Sequence, residues 1–105
     1  MSEPVVVTAV FTPKDGLFDQ LRDALGRAIP EVHEEDGCLL YAIHADPSGR
    51  IIMIEKWESA ALLDSHAAGQ PVERLNTLIA GLIAQPVEVT RLQPLPAGTL
   101  KQGQL

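Results

Sequence analysis

His66, Trp57 and Tyr41 are the residues of this chain best placed to do chemistry together. His66 follows Leu62 and Leu63 by four and three positions, so on a helix all three share one face and the ring turns inward. An imidazole in a pocket can accept a proton or donate a hydrogen bond near neutral pH, because its unperturbed pKa is about 6.5. The alternative is a core histidine bonded to a backbone carbonyl. Trp57, the only tryptophan, can wall a pocket or anchor a core. Tyr41 can present its phenol to a substrate or bury a satisfied hydroxyl. Glu55 is a charge inside an apolar stretch and needs a partner, such as Arg91 or a backbone donor.

The remaining reactive side chains read as structural. His44 falls near a strand end on the face opposite Tyr41, which suits an interface. His33 lies in the acidic stretch from Glu31 to Asp36 and reads as solvated, as does Arg50 at a turn. Cys38 reads as a small apolar residue. Three dispersed histidines give no metal-ligand spacing, and no glycine-rich phosphate loop is present. The expectation is a protein with no metal and no organic cofactor.

Composition narrows the classes further. A net charge of -6 with scattered basic residues excludes the phosphate-binding face of a nucleic-acid partner and a polybasic membrane patch. No apolar run approaches a membrane span, the N-terminus lacks signal-peptide features, and a lone cysteine suits a reducing compartment, so a cytoplasmic location is expected. The length of 105 residues fits one domain, with a core over about 5–92 and an extended arm over 93–105.

The elements that would position these residues follow from pattern. Val5 to Phe11 is a β-branched strand. Thr12 and Pro13 suit the cap and first turn of a helix carrying Leu17, Leu21, Leu25 and Ala28, with Phe18 and Ile29 beside them. Pro30 should end or kink that helix, a further turn can run from Val32 to Asp36, and Gly37 stops it. Cys38 to Ala45 and Arg50 to Trp57 form a hairpin about Asp46-Pro47-Ser48-Gly49. Ser59 caps a short helix over Ala60 to Ala68, and Pro71 opens another with Val72, Leu75, Ile79, Leu82 and Ile83 on one face, ended by Pro86. Val87 to Leu92 is the last strand. The order β-α-β-β-α-β, with its second helix broken, is the split βαβ arrangement of a ferredoxin-like α+β fold with a four-stranded antiparallel sheet.

These strands barely alternate. Leu39, Tyr41 and Ile43 share one face, while Cys38, Leu40, Ala42 and His44 share the other. Ile51 and Met53 likewise oppose Ile52 and Ile54. Helices can cover one face only, so a second copy of the chain is expected on the other.

Gly37-Cys38-Leu39-Leu40-Tyr41, Glu55-Lys56-Trp57-Glu58-Ser59 and Leu63-Asp64-Ser65-His66 together resemble the antibiotic biosynthesis monooxygenase family, over about Val5 to Arg91. The resemblance implies a dimeric α+β barrel in which two sheets pack face to face. It also implies oxygenation of small phenolic or quinol-like aromatics without metal or organic cofactor. Other relatives degrade haem with an Asn on the first strand. Here Thr8 is the only polar side chain on that strand, which disfavours that activity. The resulting expectation is a homodimeric, cofactor-independent monooxygenase, with His66 catalytic and Trp57 and Tyr41 binding a small aromatic substrate. The alternative is a non-catalytic dimeric barrel that binds a small apolar ligand or serves as an interaction module.

Overall fold

The β-branched runs become strands in the computed structural model, which describes residues 3–105. Strand β1 is Val5–Phe11, β2 is Cys38–Ala45, β3 is Ile51–Trp57 and β4 is Glu88–Leu92. They form one sheet in the order β2-β3-β1-β4, with every neighbouring pair antiparallel. Helices α1 (Phe18–His33), α2 (Ala60–Ala67) and α3 (Gln70–Ile79) complete a ferredoxin-like α+β fold. Val7, Ala9, Phe11, Ile51, Met53 and Trp57 from the sheet join Leu21, Leu25, Val32, Leu63, Leu75 and Ile79 from the helices in one core.

Register sorts the sheet into rows. On the helix-covered face Tyr41, Glu55, Val7 and Arg91 stand side by side across the four strands, and Ile43, Met53, Ala9 and Val89 form the next row. On the opposite face the rows are Leu40, Lys56, Val6, Leu92, then Ala42, Ile54, Thr8, Thr90, then His44, Ile52, Val10, Glu88.

Several local expectations are corrected. A bulge between Cys38 and Leu40 shifts the register of β2, so Cys38 pairs with Trp57 on the helix face while Leu39 is left 54% exposed. Thr12 does not cap α1. Its backbone carbonyl accepts from Ala84, Pro13 bridges Ile83, and α1 starts after Leu17 without a side-chain cap. Pro30 neither ends nor breaks α1, which runs on to His33. Proline removes only the donor that would have reached Gly26, and the buried stripe of Leu21, Ala24, Leu25, Ala28 and Val32 holds the helix against the sheet. Helix α3 stops at Ile79, so Leu82 and Ile83 are not helical. They lie in a turn tied to the segment after β1 by the Lys14 amide donating to the Leu82 carbonyl at 2.9 Å. Ser59 does cap α2, its hydroxyl accepting from the Leu62 amide at 3.2 Å.

Beyond β4 the chain leaves the sheet, turns where the Gly103 amide donates to the Thr99 carbonyl at 2.8 Å, and returns so that Lys56 donates to the main-chain oxygen of Leu105. Leu95 and Leu100 on this arm are 83% and 81% exposed.

Candidate active site

Between the β1–β4 half of the sheet and the helices α2 and α3 lies a cavity of about 630 Å³. Its walls are largely aliphatic, with Val7, Ala9 and Phe11 as the floor, Leu63 and Leu75 opposite, and Ile83, Pro86 and Val87 closing one side. Its lining takes the small Ala9 from β1 and Ala80, Ile83, Pro86 and Val87 from the segment that follows α3. Polar groups enter at limited points: Tyr41, Glu55 and His66 at one end, Asn76 on α3 and Arg91 at the rim.

His66 projects inward from α2, as its spacing to Leu62 and Leu63 requires, and is 3% exposed. Its Nδ1 lies 2.8 Å from Oε2 of Glu35, a residue of the turn between α1 and β2. Trp57 lies against the imidazole, with centroids 4.4 Å apart and planes tilted by 30°. Tyr41 meets it edge-on at 5.4 Å. The bond to a carboxylate replaces the backbone-carbonyl partner of the core-histidine reading. Trp57 is fully buried and does not line the cavity. It stands behind His66, with its indole Nε1 donating to Glu55 Oε1 at 2.9 Å.

That bond answers what keeps Glu55 inside the fold. Arg91, the partner expected from the sequence, pairs instead with Asp64 of α2 at 2.8 Å, across the cavity rim. Burial raises the Glu55 carboxyl above its ordinary pKa, and Glu35 pushes the same way, against the Trp57 hydrogen bond and the attraction of His66. Burial, reinforced by Glu55 and Glu35, also pushes the Tyr41 phenol well above its ordinary value, so it stays protonated and able to donate. Cys38, half-buried beside Trp57, is raised by burial and by the same two carboxylates.

Thr12 Oγ1 is the one fully buried side-chain polar atom without a partner among the described residues. His66 Nε2, the Tyr41 hydroxyl and Glu55 Oε2 also have no hydrogen-bond partner among those residues. All three residues line the cavity. An aliphatic chamber with three unpaired polar atoms at one end can hold a small ring and hydrogen-bond one edge of it.

The other histidines are elsewhere. His33 is not simply solvated: its Nε2 meets the Tyr41 carbonyl at 3.0 Å, on the outer edge of β2. His44 sits exposed on the open sheet face, with Nδ1 3.3 Å from the Ile52 carbonyl. No group of three His, Cys, Asp or Glu side chains is gathered to hold a metal among the described residues, and no helix among them is long and apolar enough to cross a membrane. Sequence reasoning missed Glu35, whose partner is 31 positions away and which reads as one more charge in an acidic stretch.

Fold and site thus define a ferredoxin-like α+β domain with an apolar chamber closed at one end by a histidine, a tyrosine and a glutamate. The family model for antibiotic biosynthesis monooxygenase matches residues 4–77, and the chain belongs to that family. Solved structures agree. The Rv0793 protein of Mycobacterium tuberculosis is 30% identical at a TM-score of 0.82, covering 92% of this chain and 100% of its own. The PA3566 protein of Pseudomonas aeruginosa is 30% identical at 0.79, covering 90% and 97%. A protein described as an antibiotic biosynthesis monooxygenase is 26% identical at 0.78, covering 88% and 99%. No curated protein sequence matches the chain.

Proposed function

We propose that this protein is a homodimeric monooxygenase that oxygenates a small aromatic quinol or phenol with no metal and no organic cofactor. The observation that carries this reading is the aliphatic cavity with His66, Tyr41 and Glu55 at its polar end. Its volume and largely apolar lining suit one small ring. His66 takes the phenolic proton, Tyr41 donates a hydrogen bond to the oxygen so formed, and Trp57 backs the imidazole rather than touching substrate. The electron-rich phenolate passes an electron to O2. Recombination at a ring carbon forms the new C–O bond, and loss of water leaves a quinone. One oxygen atom enters the product and the other leaves as water. All four electrons come from the substrate, so no external reductant is needed.

The same reading assigns the open sheet face, with Val10, Leu40, Ile52 and Ile54, to contact with a second copy. The test is oxygen uptake with a panel of hydroquinones, with hydrogen peroxide measured alongside. The proposal requires protein-dependent uptake, a hydroxylated quinone and no peroxide. Peroxide in equal amount to oxygen consumed would mean two-electron autoxidation, and binding without uptake would favour a non-catalytic ligand carrier.

A further inference from the structure

We propose that Glu35 is a positioning residue that fixes the proton of His66 on Nδ1 and thereby presents Nε2, with its lone pair free, to the cavity. The proposal rests on the reading of His66 as proton acceptor and specifies which atom accepts. Glu35 sits in the turn between α1 and β2, and its backbone is fastened on both sides. Its amide donates to the Val32 carbonyl at 3.0 Å, and its carbonyl accepts from Cys38 at 3.2 Å. The turn is in turn clamped to the start of α2. Gly37, at φ +83°, packs so closely on Leu62 that a Cβ there would lie 2.8 Å from the Leu62 Cβ, and the Glu58 amide donates to the Gly37 carbonyl at 2.8 Å. This close approach delivers the carboxylate to His66.

The imidazole is then held from three directions. Glu35 takes Nδ1, Trp57 covers one face, and Tyr41 meets the ring edge-on. An ionised carboxylate can only accept, so in the neutral ring the shared proton must sit on Nδ1. Nε2 is left as the acceptor, and the cavity is the space it has. A histidine side chain with no such partner favours the opposite tautomer, with the proton on Nε2. Without Glu35 most molecules would therefore offer the cavity a donor where the reaction needs a base. The Glu35 side chain makes no other hydrogen bond among the described residues, so its removal should leave the turn intact.

The test is the ring 15N spectrum of the full-length protein, at a pH where His66 is neutral, with His66→Ala used to assign the signal. The wild-type ring should carry its proton on Nδ1. Glu35→Ala should shift the majority to the Nε2–H form and lower hydroquinone turnover at unchanged KM by roughly 10–100-fold, the scale known for carboxylates that orient metal-bound histidines. A wild-type ring protonated on Nε2 overturns the proposal without recourse to any variant, as does a Glu35→Ala protein that keeps the Nδ1–H form. Full turnover in His66→Ala would remove the proton-acceptor reading alone. The wild-type tautomer would still decide whether Glu35 sets the ring.

Discussion

Replacing Trp57 by Phe tests the most buried part of the site. The indole is 0% exposed and its N–H is the donor held by Glu55 Oε1 at 2.9 Å. Phenylalanine keeps an aromatic ring against His66 but deletes that donor and leaves a gap. A buried acceptor without its partner costs about 1–3 kcal/mol, and the lost volume adds roughly 1–2 kcal/mol. The sum, about 3 kcal/mol, should lower Tm by roughly 10–25 °C in a domain of this size. The measurement is thermal and urea unfolding at fixed protein concentration, because the proposed dimer would make apparent stability concentration-dependent. The diagnostic arm is the same substitution in a Glu55→Leu background, where no carboxylate remains to be orphaned. There Trp57→Phe should cost at least about 1 kcal/mol less. Equal costs in the two backgrounds, within about 0.5 kcal/mol, would show that the hydrogen bond contributes nothing and that Glu55 is held by something else.

Glu55 itself should make stability depend on pH. Its folded carboxyl is raised above the ordinary value of 4.5, so across the window from there upward the native state binds more protons than the unfolded chain, and stability falls as pH rises. Glu55→Gln removes that slope, so the variant should gain on wild type as urea midpoints are followed from about pH 4 to 8. A difference that stays flat with pH would contradict the burial argument. On the open sheet face, Leu40→Asp should dissociate or unfold the proposed dimer in sedimentation at micromolar concentration, because an unpaired charge cannot be buried cheaply. Unchanged sedimentation as a dimer would place the interface elsewhere.

The strands were legible because short β-branched runs, bounded by Pro and Gly, have few other uses. The inward turn of His66 was legible because helical spacing alone dictates it. The misreadings share a cause: each depended on a contact made at a distance. Thr12-Pro13 has the chemistry of a helix start, yet its backbone is spent on Ala84 and Ile83. Leu82 and Ile83 continue the apolar period of α3, but the turn through Gly81 sends them back to the segment after β1. The bulge at Cys38 leaves no mark in a run where every residue is apolar, so the faces of the first β2 residues were transposed. Glu35 was beyond reach for the same reason. Nothing in an acidic stretch says which carboxylate meets an imidazole 31 residues away.

The turnover of His66→Ala on the best hydroquinone of the panel, measured with the variant shown to be folded by the same sedimentation run, tests the central claim most directly. If His66 accepts the phenolic proton, turnover should fall by about 10²–10⁴-fold. His33→Ala, whose ring meets only the outer edge of β2 and lies away from the cavity, should turn over like wild type. A folded His66→Ala protein with full turnover would contradict the account.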